Sequence, residues 1–129
     1  MKQLNSEATQ FFDDFVAAFG TFDGSSVARL FIHPYLAVDQ HGIQSVFSSP
    51  EDTAMYFQGH LERYKSSGAE SCRYHSLEVV PIGTLGALAS VTWSLASAHG
   101  SEISSWRESY CVSRKNGQML AYASIDHAI

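Results

Sequence analysis

The stretch ISSWRESYCVSRKNGQMLAYASIDH, residues 103–127, decides the fold. Asn116-Gly117 at its centre is the preferred two-residue type I′ turn, because both central positions need a positive φ. Folding the chain about that turn sets Lys115 opposite Gln118, Val112 opposite Ala121 and Tyr110 opposite Ala123. The same register sets Glu108 opposite Ile125, Arg107 opposite Asp126 and Trp106 opposite His127. A turn at Gly100-Ser101 brings the preceding strand alongside, with His99 opposite Glu102, Leu95 opposite Trp106, Trp93 opposite Glu108 and Val91 opposite Tyr110. Both registers then assign one face to Ala87, Ala89, Val91, Trp93, Trp106, Glu108, Tyr110, Val112, Met119, Ala121, Ala123, Ile125 and His127. This face is apolar and is expected to meet helices, while Ser90, Thr92, Ser94, Arg107, Ser109, Cys111, Ser113, Tyr122, Ser124 and Asp126 take the other. The alanines of the inner face leave volume that helix side chains or a ligand must fill.

Upstream of these strands the period changes from two to between three and four. Leu4, Ala8, Phe11, Phe12, Phe15, Val16 and Phe19 form one helical stripe, capped by Asn5 or Ser6 and ended by Gly20. Asp23-Gly24-Ser25-Ser26 starts a short second helix carrying Val27, Leu30 and Phe31, which His33-Pro34 stops. Two short strands follow, Tyr35 to Asp39 and Ile43 to Phe47, joined by Gln40-His41-Gly42. Ser49-Pro50-Glu51-Asp52 is a strong helix start, with a serine cap, proline at the first helical position and an acid three residues after the cap. That helix carries Ala54, Phe57, Leu61 and Tyr64 on one face and closes at Ser66-Ser67-Gly68. Strands are then expected at Ser71 to Val80, Thr84 to Ala98, Glu102 to Lys115 and Gln118 to His127. This is an α+β order: a curved antiparallel sheet wrapped by three helices, expected as one domain over residues 1–129.

The chain of 129 residues is 45% hydrophobic and 16% charged, with a net charge of −5. An acidic surface without a Lys/Arg cluster argues against nucleic acid and against an anionic membrane as partners. Neither a signal peptide nor a membrane span is expected, which makes the cytoplasm the default location. The six histidines show no ligand spacing, so neither a metal nor a cofactor is expected. Cys72 and Cys111 fall on strands separated by a third, two strand spacings apart, and are expected to be free thiols.

One residue is out of place on the inner face. Glu108 lies between Trp93 and Tyr110, and burial of a lone carboxylate demands a partner or a raised pKa. It reads either as a pocket acid/base or as a buried structural acid. His127, diagonal to it, is a candidate proton partner, and Tyr110 a candidate hydrogen-bond donor to an oxyanion. Trp93, Trp106, Tyr56, Phe57 and His75 are candidate ligand-binding residues.

The element order, the Ser49-Pro50 helix start, the Val91-Thr92-Trp93 strand, the Asn116-Gly117 hairpin and the final strand together resemble the nuclear transport factor 2-like superfamily, with its SnoaL-like and ketosteroid isomerase-like members. The resemblance spans essentially the whole chain. It implies a cone-shaped sheet around a pocket for a small hydrophobic molecule, and a homodimer through the outer sheet face. It also implies either cofactor-independent acid/base chemistry, as in an isomerase, cyclase or dehydratase acting on an apolar carbonyl compound, or a non-catalytic binding or dimerisation module. Asp39 falls near the position of the ketosteroid isomerase general base, whereas that enzyme's first-helix tyrosine is replaced here by Phe12-Asp13-Asp14. In the similar polyketide cyclases an acid near the last strand acts as acid/base. Asp126 lies there, but the hairpin register points it outward.

Overall fold

The computed structural model describes residues 2–128. Three helices, α1 (Lys2–Phe19), α2 (Gly24–Ala28) and α3 (Pro50–Ser66), pack against six strands: β1 (Phe31–Val38), β2 (Gln44–Phe47), β3 (Ser71–Ile82), β4 (Gly86–Ala96), β5 (Glu102–Lys115) and β6 (Gln118–Asp126). The sheet is curved and unclosed, in the order β2-β1-β6-β5-β4-β3. It is mixed rather than wholly antiparallel, because β1 docks parallel to β6.

Ser49 caps α3 as its sequence demands, its side chain accepting from the Asp52 N–H with Pro50 in the first turn. The first helix begins earlier than expected, at Lys2, so Asn5 and Ser6 lie inside it. The second helix ends at Ala28, and β1 runs through His33-Pro34 instead of starting after it. Proline is tolerated there because the β1–β6 ladder is irregular between Phe31 and Leu36.

Phe11, Phe12, Phe15 and Phe19 of α1 are buried in one cluster with Ala87, Ala89, Val91, Trp93, Tyr110, Val112 and Ala121 of the sheet. Phe12 and Phe15 meet Trp93 at ring-centroid distances of 5.8 and 5.0 Å, and Phe11 meets Tyr110 at 5.8 Å. The volume left by the alanines is thus taken by aromatic side chains at the α1 end of the sheet. Helix α2 lies close against α3. Gly24 donates its backbone N–H to Gln58 Oε1 at 2.7 Å, and a Cβ on Gly24 would fall on the Ala54 carbonyl oxygen.

Two registers differ from the hairpin arithmetic. Five residues, Ser97–Ser101, connect β4 to β5, and an irregularity follows between Leu95 and Ala96. Trp93 therefore faces Trp106, and Val91 faces Glu108. This slip is by two residues, so every side chain on β4 and β5 keeps its expected face. The second difference is by one. The β5–β6 register holds from Lys115–Gln118 to Val112–Ala121, then shifts so that Cys111 faces Ala123 and Glu108 faces Asp126. Tyr122 is the extra residue of a β-bulge and stands outward, 41% exposed. Beyond it the faces of β6 exchange. Ser124 is buried, Asp126 turns inward, and Ile125 and His127 turn outward.

Candidate functional site

Between α1, α3 and the concave side of the sheet lies a cavity with about 620 Å³ of empty space, its open mouth included. Phe15, Phe19, Phe57, Leu61, Trp93 and Leu95 are among its apolar walls. Its polar groups come from two sides. The sheet supplies Glu108, Tyr110, Tyr35 and Asp126, and α3 supplies Tyr56, His60 and Tyr64. The last three are spaced by four, which stacks them along one helical face.

On the sheet side the central feature is a carboxyl pair. Glu108 and Asp126 are direct cross-strand neighbours on the inner face. Trp106 Nε1–H donates to Glu108 Oε1 at 2.9 Å. The Tyr110 hydroxyl accepts from Trp93 Nε1–H at 2.9 Å. Burial, and after it the charge of Asp126, push the Glu108 pKa up to about 8, against the donation from Trp106 and the nearby Tyr110 hydroxyl. Burial raises Asp126 as well, with the charge of Asp39 adding to it and the hydrogen bond from Glu108 opposing it. The pair therefore keeps one proton at neutral pH, shared between the two carboxyls. Like charges this close cannot both ionise at ordinary cost, and the result is an acid and a base side by side. Tyr35 is tied to Ser124 Oγ at 2.5 Å. Burial holds the Tyr35 and Tyr110 hydroxyls well above the usual tyrosine range, so both stay protonated.

On the helix side the donors are less committed. Among the described residues, the Tyr56 and Tyr64 hydroxyls have no protein hydrogen-bond partner, and neither is sealed away from open space. Burial pushes Tyr56 up to about 12 and raises Tyr64 too. Burial, and then the Arg63 charge, bring His60 down to about 4. No group of three or more His, Cys, Asp or Glu side chains among the described residues is placed to hold a metal ion.

Residues 6–125 match the model of the family described as NTF2-like protein (DUF6841). The chain belongs to this NTF2-like family. No curated protein matches it in sequence. Solved structures share its fold at low identity. Aln2 from a Streptomyces species superposes with a TM-score of 0.77 at 16% identity, covering 99% of this chain and 92% of its own. A Catenulispora acidiphila protein, solved in complex with S-DNPA, gives 0.76 at 13% identity, with coverages of 98% and 94%. An NTF2-like protein with a cystatin-like fold from Novosphingobium aromaticivorans gives 0.77 at 10%, with coverages of 98% and 82%.

Within this NTF2-like chain the cavity gathers Glu108, Tyr110, Trp93, Trp106, Tyr56 and Phe57 from among the residues singled out in the sequence. Three others lie elsewhere. His127 is turned out by the bulge and bonds Ser109 Oγ at 2.7 Å on the outer face. His75 is exposed on β3, bonded to Ser76. Asp39 is exposed, and its carboxylate accepts from the N–H groups of His41 and Ile43 at 2.8 and 3.0 Å, which hold it below the usual carboxylate range. It organises the β1–β2 turn and reaches the cavity only through its charge on Asp126 and Tyr56. Arg107 does not stand opposite Asp126, which faces Glu108. Arg107 on the outer face pairs instead with Glu78 at 2.5 Å.

The Tyr110 hydroxyl accepts from Trp93 Nε1–H at 2.9 Å, and its presence beside Glu108 lowers the pKa of that carboxyl. The partner of Glu108 that hairpin arithmetic missed is Asp126. A signal was present in Ala123-Ser124, two small residues in succession where strict alternation requires one to face water. Tyr35 and His60 were also missed. His60 was legible from its spacing, four residues after Tyr56 and four before Tyr64.

Proposed function

We propose that this NTF2-like protein binds a compact, mostly apolar carbonyl compound in the cavity, and that the Glu108–Asp126 pair moves a proton at the carbon next to the carbonyl. The observation that carries this reading is the carboxyl pair itself: two cross-strand neighbours, both with raised pKa values, facing an aromatic cavity. A pair of titratable groups whose environments separate their roles is the usual basis of acid/base assignment. Asp126 is the base that takes the proton from carbon. Glu108 is the acid that returns one, and the walls exclude the water that would compete. The products are those of isomerisation, ring closure or water loss, all of which need proton movement without a cofactor. The Catenulispora acidiphila protein of the same fold, solved with S-DNPA, supports small-molecule binding by this architecture.

A second reading, binding without chemistry, is favoured by the aromatic walls of the cavity and by the donor that Trp106 already places on Glu108. The ketone 2-tetralone separates the two, since the protons beside its carbonyl exchange with solvent and can be followed by NMR in deuterium oxide. The enzyme reading expects wild type to bind it and to accelerate exchange, and Glu108→Gln and Asp126→Asn to bind it with exchange lost. Binding with no acceleration in wild type would leave a binding module. No binding by any of the three proteins would end both readings.

A further inference from the structure

The helix wall facing the carboxyl pair carries a second specialised group. His60 sits at the centre of the α3 face, its ring 4.4 Å from that of Tyr56 in an edge contact and 5.9 Å from that of Tyr64 in a stacked one. Arg63, one turn on, places its Nη2 3.0 Å from His60 Nδ1. A guanidinium has only donors, so Nδ1 must be the acceptor. The imidazole proton is thereby assigned to Nε2. Among the described residues Nε2 has no hydrogen-bond partner, and no buried, unpartnered polar side-chain atom exists there, so Nε2 retains open space in front of it. His60 lines the cavity together with Glu108 and Asp126.

The geometry points to His60 as a neutral hydrogen-bond donor that receives the oxygen of a carbonyl ligand through Nε2–H, with Tyr56 and Tyr64 flanking it. This rests on the proposed function and adds an orientation to it. The ligand lies across the cavity, its oxygen toward α3 and its acidic carbon toward the sheet. A neutral donor suits this task better than a charged one. An imidazolium would be attracted to the carboxylate of Asp126 and would compete with the ligand for it. The neutral form also stays neutral through the working range, since burial and Arg63 both oppose its protonation. Substrate selection follows from the same arrangement: an apolar molecule without an acceptor at that end leaves the donor unpaired and loses affinity.

The test uses two ligands of nearly one shape, 2-tetralone and tetralin, which differ by the carbonyl oxygen. The measured quantity is the ratio of their dissociation constants for wild type, His60→Phe and His60→Gln. His60→Phe keeps a ring between Tyr56 and Tyr64 but removes the donor. The preference for the ketone should fall about fivefold, the worth of one neutral hydrogen bond, with tetralin binding no weaker than in wild type. His60→Gln, which restores a side-chain N–H, should recover part of it. Wild-type protein labelled with ¹⁵N supplies an arm that needs no variant: 2-tetralone should shift the His60 Nε2 resonance, with Nδ1 remaining unprotonated, and tetralin should not. An unchanged ketone preference in His60→Phe, or an Nε2 resonance that does not respond to the ketone, overturns the role of His60 while leaving the cavity as a binding site. Failure of wild type to bind either ligand overturns the proposed function and this inference together.

Discussion

Replacing Glu108 by glutamine should change how stability depends on pH, and the size of the change follows from the carboxyl pair. In the unfolded chain a glutamate releases its proton near 4.5, while in the folded protein Glu108 holds it up to about 8. Between those values the folded state binds more protons than the unfolded one. The stability that this proton contributes is therefore complete below 4.5 and is lost as pH rises toward 8. One proton corresponds to a slope of at most about 1.4 kcal/mol per pH unit. From pH 5.5 to 7.5 wild type should lose about 2 kcal/mol more than Glu108→Gln, whose amide donates toward Asp126 at every pH. His60 works in the opposite sense. Its lowered pKa contributes stability above its ordinary 6.5 that is lost as pH falls toward 4, but it is present in both proteins and cancels in the difference. The assay is urea unfolding of both proteins at half-unit pH steps. Parallel curves across that range would show that Glu108 ionises normally in the folded protein. The acid of the proposed chemistry would then be absent, and with it the argument that burial and Asp126 hold the proton.

Gly24→Ala should destabilise by at least about 2 kcal/mol, roughly 8 °C in Tm, because the new methyl meets the Ala54 backbone rather than a side chain that can move aside; a variant within 2 °C of wild type, on the order of experimental error for such shifts, would mean that α2 and α3 are not so close. Intact mass under non-reducing conditions should show two free thiols, and a thiol reagent at pH 8 should leave Cys72 unmodified in the native protein, since burial pushes it up to about 12. Rapid double labelling would count against the packing of β3 on the core. The proposed homodimer through the outer sheet face, where Leu88, Thr92, Cys111 and Tyr122 stand, should give the mass of two chains in light scattering at micromolar concentration; Tyr122→Glu should shift it toward one chain, and a monomeric wild type would refute the interface.

Much of this architecture is written in local patterns. The α3 start is set by Ser49 and Pro50, whose capping geometry involves only four consecutive residues. The inner faces of β4 and β5 follow from alternation, and a slip of two residues in their pairing did not disturb them, because the side-chain period of a strand is two. Glu108 was visible as an acid inside the sheet for that reason. Cys72 and Cys111 were correctly separated by β4, since the order of a meander follows its turns.

What tertiary structure alone decided is the phase of the last strand and the company that Glu108 keeps. The Asn116-Gly117 turn sets the register at its own end of the hairpin, and the bulge at Tyr122 then resets it by one. That reset is tied to β1, which docks parallel along the other edge of β6 and brings the Tyr35 hydroxyl to Ser124. A buried hydroxyl needs a partner, and Ser124 can provide one only if β6 departs from alternation. The same step carries Asp126 inward beside Glu108 and expels His127. The partner strand lies 89 residues away from Ser124, at Tyr35. No pattern within the hairpin can register a contact at that distance, so Glu108 was legible in the sequence and its partner carboxyl was not.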